Sequence, residues 1–508
     1  MPCWEYDMKK ECSPVRHFNA ATEPLIPVVF RDGSTKNVSL EEAFRRSDEI
    51  WTFGGHIHEI ACYLALFMAI AQRSVGIIRN EQEWMRIKSK IVKKSLRYLK
   101  KHRREFELFG DKPWYQVPYV SPIKNRNLTR LVPGRATSSI SSLHDHETYS
   151  LETRHGGYRM PSDEIARVLL CHQPFVPGDR IKTDKSEKWG GAVEHASRGP
   201  LYSSFLVMVQ GSCLRDTIWM NLVVNDDQFK LTAKNMGKPF WEIDFKKPSL
   251  VQKYVSTYFG WILPFPRAIR VHDSIIASLN GAGRYDEVEY RHPFLTRVVN
   301  QKNPDGFYQK VNRETFVWRA LPASLVAADS NRLSSDHPWA LRRAERYDGT
   351  VRIMAGGLVF AKTHALAPCE SEFYVRNKKV NGKMTGLADW RTHYAECLKL
   401  ADKYAGCLEA GAKTYMKETD SYTNCAKSTR KRFWWSLTLN QHVLLEAAES
   451  GCIEAWDGLC RKEMEKSFKG VLGAVSRGGE MRAFARSINV MMAKAAGVKK
   501  TDGTGKES

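Results

Sequence analysis

Arg352-Ile353-Met354-Ala355-Gly356-Gly357-Leu358-Val359-Phe360-Ala361-Lys362-Thr363 sets the reading of this chain. Its first half has the apolar character of a strand. The glycine pair then removes the side chains that hold a backbone away from a partner. The expected arrangement is a strand that opens into a glycine loop. Val359 to Thr363 would then lie along a groove, with Lys362 near a phosphate or a base edge. A Gly-Gly pair after a strand is also an ordinary turn, so its weight comes from its surroundings. A second Arg-Gly turn, Ser197-Arg198-Gly199-Pro200, lies upstream, and a long region almost free of proline follows.

The 508 residues suffice for two or three domains with proper cores, and an apolar fraction of 43% marks a folded protein. The net charge of +22 is the unusual number, and it predicts a polyanionic partner, nucleic acid first. A generally solvated basic surface is the bland alternative. Eleven cysteines without a CxxC pair describe neither a disulfide framework nor a zinc knuckle, and read as reduced thiols of a cytoplasmic protein. Met1 to Asp7 shows no secretory signal pattern, and the apolar stretch Ile60 to Ala71 is too short for a bilayer.

The fold class expected is α+β: a large mixed N-terminal domain with a C-terminal antiparallel four-helix bundle. Pro24 to Phe30 reads as a strand, Arg31 to Ser34 as a turn, and Lys36 to Leu40 as the returning strand. Ser39 caps a helix with Glu41 and Glu42 in its first turn. Residues 82–106 read as one amphipathic helix, with Ile87, Ile91, Leu99 and Phe106 on the buried stripe. No acidic residue occurs from Lys88 to Arg104. Lys93, Lys94, Arg97 and Lys101 therefore present a face suited to nucleic-acid phosphates. Residues 120–200 are rich in turn formers around a helix at 161–171, and 201–225 read as a strand followed by a helix or second strand. The body spans 1–376, a linker 377–386, the bundle 387–498 and a disordered tail 499–508. Bundle breaks fall near Thr419–Thr423, Ser450–Gly451 and Arg477–Gly479.

His144-Asp145-His146-Glu147 invites a metal-dependent, HD-like nuclease reading. That chemistry needs further ligands on neighbouring helices, and His155 and His172 lack ligand-like spacing. No Walker loop, GxSxG elbow or HExxH helix occurs, so no cofactor and no enzymatic activity are expected. Trp434 and Trp435 follow Lys427, Arg430, Lys431 and Arg432. Stacking on nucleic acid is one reading of the two indoles, and bundle core is the preferred one. Arg430, Lys431, Arg482 and Arg486 are the expected non-specific nucleic-acid contacts of the bundle.

These pieces, in this order, resemble the CasA family, the large subunit of the type I-E CRISPR interference complex Cascade. Asn19 to Phe30 and Gly33 to Leu40 resemble the family's N-terminal hairpin. Leu143-His144-Asp145-His146 is similar to its L-F-D-H loop. Pro161 to Phe175 is similar to P-x-E-A-A-R-x-L-L-x-H-Q-x-F, and Arg352 to Lys362 to its strand and glycine loop. The resemblance implies a cytoplasmic, non-catalytic subunit. Its partners would be other Cascade subunits, crRNA, target double-stranded DNA and a recruited helicase-nuclease. It implies that the protospacer-adjacent motif (PAM) is read from the minor groove by Gly199, Gly356, Gly357, Val359, Phe360, Ala361, Lys362 and Thr363. Phe360 or Lys362 would be the wedge that starts strand separation. It implies crRNA-handle contacts at His144, Asp145 and His146. No residue is assigned to the lysine that some members use before the glycine stretch. A bulky replacement of Gly357 is expected to abolish PAM-dependent binding with the fold intact.

Overall fold

The computed structural model describes residues 17–120, 126–131, 160–181, 189, 193–225, 230–272, 275–289, 291–300, 303–312, 316–325, 338–361, 364–380, 383–419, 424–472 and 480–497. The chain divides into two compact units. The first comprises Met1–Val317, Ser330–Ala344 and Val351–Phe373, and the second Trp318–Asp329, Glu345–Thr350 and Tyr374–Ser508.

The first unit opens on strands β1 (Ile26–Phe30), β2 (Thr35–Val38) and β3 (Ile50–Phe53), in the order β2-β1-β3. The Asp32-Gly33 turn closes the hairpin, with Gly33 at φ 86° and Asp32 Oδ1 accepting the Ser34 N–H at 2.9 Å. Helix α1 (Leu40–Arg45) starts at Ser39, whose hydroxyl accepts the Glu42 N–H at 3.1 Å. Helix α2 (Ile57–Val75) is buried on every side from Ile60 to Gln72 and forms the centre of this core.

The single amphipathic helix expected over 82–106 is broken. Helices α3 (Glu81–Ile87) and α4 (Ile91–Lys101) flank a turn at residues 88–90, and a short 3-10 turn, Arg103–Phe106, follows. Ile87, Ile91, Leu99 and Phe106 are all buried, so the periodicity identified the apolar residues correctly and missed the break. The cause is tertiary. Trp84 stacks on Trp219 with ring centroids 3.9 Å apart, and each indole donates to the other's carbonyl, at 2.9 and 2.8 Å. Lys88, at the break, pairs with Asp216 at 2.9 Å and lies over the Trp219 ring.

Helix α5 (Ser162–Phe175) runs through Pro174 in its last turn. Beyond it come strand β4 (Leu206–Gln210), helix α6 (Leu214–Asn221), and the hairpin β5 (Arg267–His272) and β6 (Ile275–Gly281). Strand β7 (Gly349–Ala361) pairs antiparallel with β4, from Arg352↔Gln210 to Gly356↔Leu206. Strand β8 (His364–Val380) lies on its other side.

Two buried histidines carry a pH consequence. His172, its Nδ1 against the Leu131 carbonyl at 2.8 Å, is pushed down to about 3 by burial and then by the Arg267 charge. His292 is pushed down to about 3 by burial. Both are neutral in the fold, and the unfolded chain takes up their protons first as pH falls. Their stabilisation is full above about 6.5 and is lost towards pH 3, at up to about 1.4 kcal/mol per pH unit for each ring. Urea midpoints are expected to fall between pH 7.5 and 5.0, and to fall less in His172→Gln and His292→Gln. An equal fall in the variants would place the acid sensitivity elsewhere.

In the second unit, within the segment 377–386 expected as a linker, residues 378–380 and 383–385 are paired strands. β8 ends by pairing with β9 (Lys383–Thr385), in register Lys378↔Thr385 and Val380↔Lys383. Asn377 is buried, donating to the Tyr347 carbonyl at 2.9 Å and accepting the Leu387 N–H at 2.8 Å. That side chain fixes the start of helix α7 (Leu387–Glu418). Then follow α8 (Cys425–Leu439), α9 (Gln441–Ser450), α10 (Glu454–Leu472) and α11 (Met481–Ala495). Arg430 pairs with Glu409 while His393 meets the Ala448 carbonyl, so α8 and α9 together run antiparallel to α7. Tyr415 bonds Glu480 while Lys494 reaches the Gly406 carbonyl, so α11 does too. The architecture is an antiparallel four-helix bundle whose second arm breaks at Asn440. The Asn440 amide donates to the Ser436 carbonyl at 2.8 Å.

Candidate nucleic-acid interface

The glycine pair lies within strand β7, not in a loop after it, and residues 351–359 are all buried. Glycine is required there for a reason opposite to exposure. A Cβ on Gly356, at φ 139°, would stand 2.0 Å from the Cys369 carbonyl oxygen of β8. A Cβ on Gly357 would stand 2.3 Å from the Ser204 carbonyl oxygen. Neighbouring backbones close on the strand from two sides, which corrects the expectation of accessible main chain at Gly356 and Gly357.

The strand is anchored at its base. Arg352 forms a bidentate pair with Glu372 and reaches Gln210 Oε1 at 3.0 Å, with its guanidinium over the Trp51 ring. Glu370 of β8 holds the N-terminus of α2, accepting the Ile57 N–H at 2.6 Å and meeting His56 Nδ1 at 3.0 Å.

Gly199 is also buried. Its N–H donates to the Val176 carbonyl at 2.8 Å, and a Cβ would lie 2.3 Å from the Pro174 carbonyl oxygen. The turn is therefore pressed onto the end of α5. Arg267, 2% exposed, clamps it from beneath: its guanidinium donates to the Ser197 carbonyl at 2.7 Å and the Pro177 carbonyl at 2.7 Å. The Gln173 side chain holds the Arg267 backbone N–H and carbonyl.

What the two glycine elements present outward is side chain. After Gly199 the chain passes through Ser203, at φ 53°, and Val311 N–H donates to the Ser203 carbonyl at 2.9 Å. This brings the Tyr202 ring against Phe360, with centroids 4.2 Å apart, and Arg198 stands 5.2 Å from the Tyr202 ring centroid. Tyr202 and Phe360 are half-buried and Arg198 is exposed. Lys310, also exposed, bridges Ser204 through its backbone. Arg198 and Lys310 make no ion pair with a described residue. Two rings with the Arg198 guanidinium beside one of them suit contact with bases and phosphates together.

Of the predicted contacts, Gly199, Gly356 and Gly357 underlie this surface, Val359 is buried, and Phe360 is on it. Ala361 ends β7, and Lys362 and Thr363 lie outside the described residues, as do His144, Asp145 and His146. The sequence reading named no role for Arg198, Tyr202, Lys310 or Arg267. The Arg-Gly dipeptide at 198–199 was the available signal for the first. Among the described residues no group of three His, Cys, Asp or Glu side chains is placed to hold a metal ion, and no helix is long and apolar enough to cross a membrane.

On α4, Ile91, Ser95 and Leu99 face inward; Lys93, Arg97 and Lys101 are exposed and Lys94 half-buried. None of these four cations pairs with a described carboxylate. In the bundle, Arg430 pairs with Glu409 at 3.6 Å and Arg486 with Glu418 at 3.8 Å, whereas Lys431 and Arg482 are exposed without a described partner. Exposed partnered cations keep most of their affinity for phosphate, because such pairs contribute little.

The family model described as CRISPR-associated protein Cse1 matches residues 19–467. Thermus thermophilus CasA (Cse1) has a similar fold, with a TM-score of 0.72 and 18% identity, covering 94% of this chain and 99% of that one. Thermobifida fusca Cse1 gives 0.73 and 15%, covering 95% and 98%. A chain from a CRISPR RNA-guided surveillance complex gives 0.71 and 17%, covering 94% and 99%. No curated protein sequence matches this chain.

Proposed function

The chain belongs to the CRISPR-associated Cse1 family, and on that premise we propose that it is the large subunit of a type I-E Cascade surveillance complex. It binds DNA and RNA and performs no bond chemistry. The similarity to a chain of an RNA-guided surveillance complex supports the assembly with crRNA and other subunits. In this reading the Arg198–Tyr202–Phe360 surface meets the PAM in the minor groove of target duplex. Arg198 and Lys310 hold phosphates or the groove edge, and the distal end of β7 enters the base stack as the wedge. Minor-groove readout separates A·T from G·C and little more, which suits a short, tolerant motif, and inserting an apolar ring unstacks a step for a few kcal/mol. Guide pairing then supplies sequence identity. His144, Asp145 and His146 contact the crRNA handle, and the opened complex recruits the helicase-nuclease.

The observation that carries this reading is the Tyr202–Phe360 ring contact, which unites the two glycine elements in one surface. The test is whether the chain elutes with an RNA-bearing multi-subunit assembly that prefers PAM-bearing duplex. An assembly that binds duplexes with and without the motif equally overturns it.

The cations of α4, none paired with a described carboxylate, add a sequence-independent term. Neutralising Lys93, Lys94, Arg97 and Lys101 together is expected to weaken binding. It should flatten the slope of log affinity against log salt by up to about one unit per lost phosphate contact. An unchanged slope would make that helix an ordinary solvated surface.

A further inference from the structure

Arg198 does not hang free from its turn, because two residues outside the turn fix where it stands. Gly178 is the first. A Cβ there would lie 3.2 Å from Arg198 Cγ and 3.7 Å from its Nε, so the arginine stem crosses bare backbone at that point. Gly178 is not one of the positive-φ glycines, and the backbone conformation there does not itself require glycine. The other near atom, the Ala196 carbonyl oxygen at 3.4 Å, is at ordinary contact distance. A side chain at 178 would therefore displace Arg198 before anything else. At its far end the Arg198 guanidinium stands 5.2 Å from the Tyr202 ring centroid. The side chain is held at both ends.

Arg267 is the second. Asp179–Ile181 and Val193–Ala196 pair antiparallel, so the chain leaves at Pro177 and returns at Ser197. The Arg267 guanidinium donates to both of those carbonyls at 2.7 Å and closes the base of the excursion. Pro177 precedes Gly178 and Ser197 precedes Arg198, so one planar fork sets the spacing of the two residues in contact. Burying a guanidinium carries a heavy desolvation cost that an apolar residue of similar size would avoid. What arginine alone supplies is a rigid fork that spans two acceptors.

We propose that Gly178 and Arg267 are positioning residues for Arg198, and that they set how sharply the complex discriminates its motif. This rests on the reading that the Arg198–Tyr202–Phe360 surface meets the PAM. Neither residue acts on the duplex directly. Arg267 fixes the backbone from which Arg198 springs, and the missing side chain at 178 gives its stem a single path. A guanidinium already aimed loses less freedom on binding, and it rewards the correct groove geometry more than a wrong one.

The test measures the affinity of the assembled complex for a PAM-bearing duplex and for a duplex of equal length without the motif. The ratio of the two is the discrimination. Gly178→Ala is expected to lower it about threefold and Gly178→Val about tenfold, the range for one misplaced charge-assisted contact. Both variants should unfold near the native urea concentration, because only a flexible, exposed side chain has to yield. Arg267→Lys keeps the charge and loses the fork, and should lower the ratio together with some stability. In an Arg198→Ala background Gly178→Val should add no further loss, since it acts through the side chain already removed. Native discrimination in Gly178→Val, alongside its loss in Arg198→Ala, would overturn the positioning inference alone. A further loss from Gly178→Val in the Arg198→Ala background would also overturn it, by assigning the effect to backbone packing. Full discrimination by Arg198→Ala, or none by the native complex, would overturn the reading of the surface itself and this inference with it.

Discussion

Gly356→Ala is expected to destabilise the first unit by about 3 kcal/mol or more, and to leave much of the chain unfolded or aggregated on expression. Two costs combine. At φ 139° an L-residue sits in a region that is nearly glycine-only, a penalty of about 1–3 kcal/mol. The new methyl would also lie 2.0 Å from the Cys369 carbonyl oxygen and 2.8 Å from Glu370 Cα. Those are backbone atoms of the neighbouring strand, so relief requires β8 to move. β8 cannot move freely, because Glu370 holds the start of α2 and Glu372 holds Arg352. Gly357→Ala meets the Ser204 carbonyl at 2.3 Å and should cost less, since no positive φ is involved. This reverses the expectation that position 357 can be filled with the fold intact. Urea unfolding of the full chain checks both, and native midpoints in both variants would mean that the strands separate without cost.

Removing the two rings of the outer surface separates function from stability. Tyr202→Ala combined with Phe360→Ala is expected to reduce affinity for PAM-bearing duplex at least tenfold in the assembled complex. Strand opening beside the motif, read by 2-aminopurine fluorescence, should be reduced further. The half-buried rings contribute about 1 kcal/mol to each other, so the fold should survive. The wedge contributes the unstacking of a base step, about a few kcal/mol, and that falls on opening. Phe360→Tyr should keep most of the activity, because a ring of the same shape remains. Undiminished 2-aminopurine fluorescence in the double variant would remove Phe360 from any wedge role.

Elements whose signal is local were legible. The Asp32-Gly33 turn, the Ser39 cap, the buried α2 and the apolar stripe Ile87–Phe106 all follow from neighbours in sequence. The four-part bundle was legible from its helical periodicity. The break at residues 88–90 was not, because it depends on Trp84 meeting Trp219 and Lys88 meeting Asp216, more than 100 residues away. The pairing of residues 378–380 with 383–385 was not expected, for a related reason. Asn-Gly between short polar runs suits a linker as well as a tight hairpin turn, and the buried Asn377 that anchors it has a partner in Tyr347.

The glycines show the same division most clearly. From the residues alone came an α+β chain with a helical C-terminal region, a strong positive charge, and two places where only glycine serves. Composition and short-range periodicity are enough for that, because helices, turns and net charge are properties of neighbouring residues. Which side of each glycine is crowded was decided by the tertiary structure. The carbonyls of Pro174, Ser204 and Cys369 press on Gly199, Gly357 and Gly356, and steric closure by distant backbone is invisible to a linear pattern. The same packing turned Tyr202 and Phe360 towards each other and left Trp435 outside while its neighbour Trp434 went in. A helix or strand sets the spacing of its side chains, and only its partners decide which of them meet solvent.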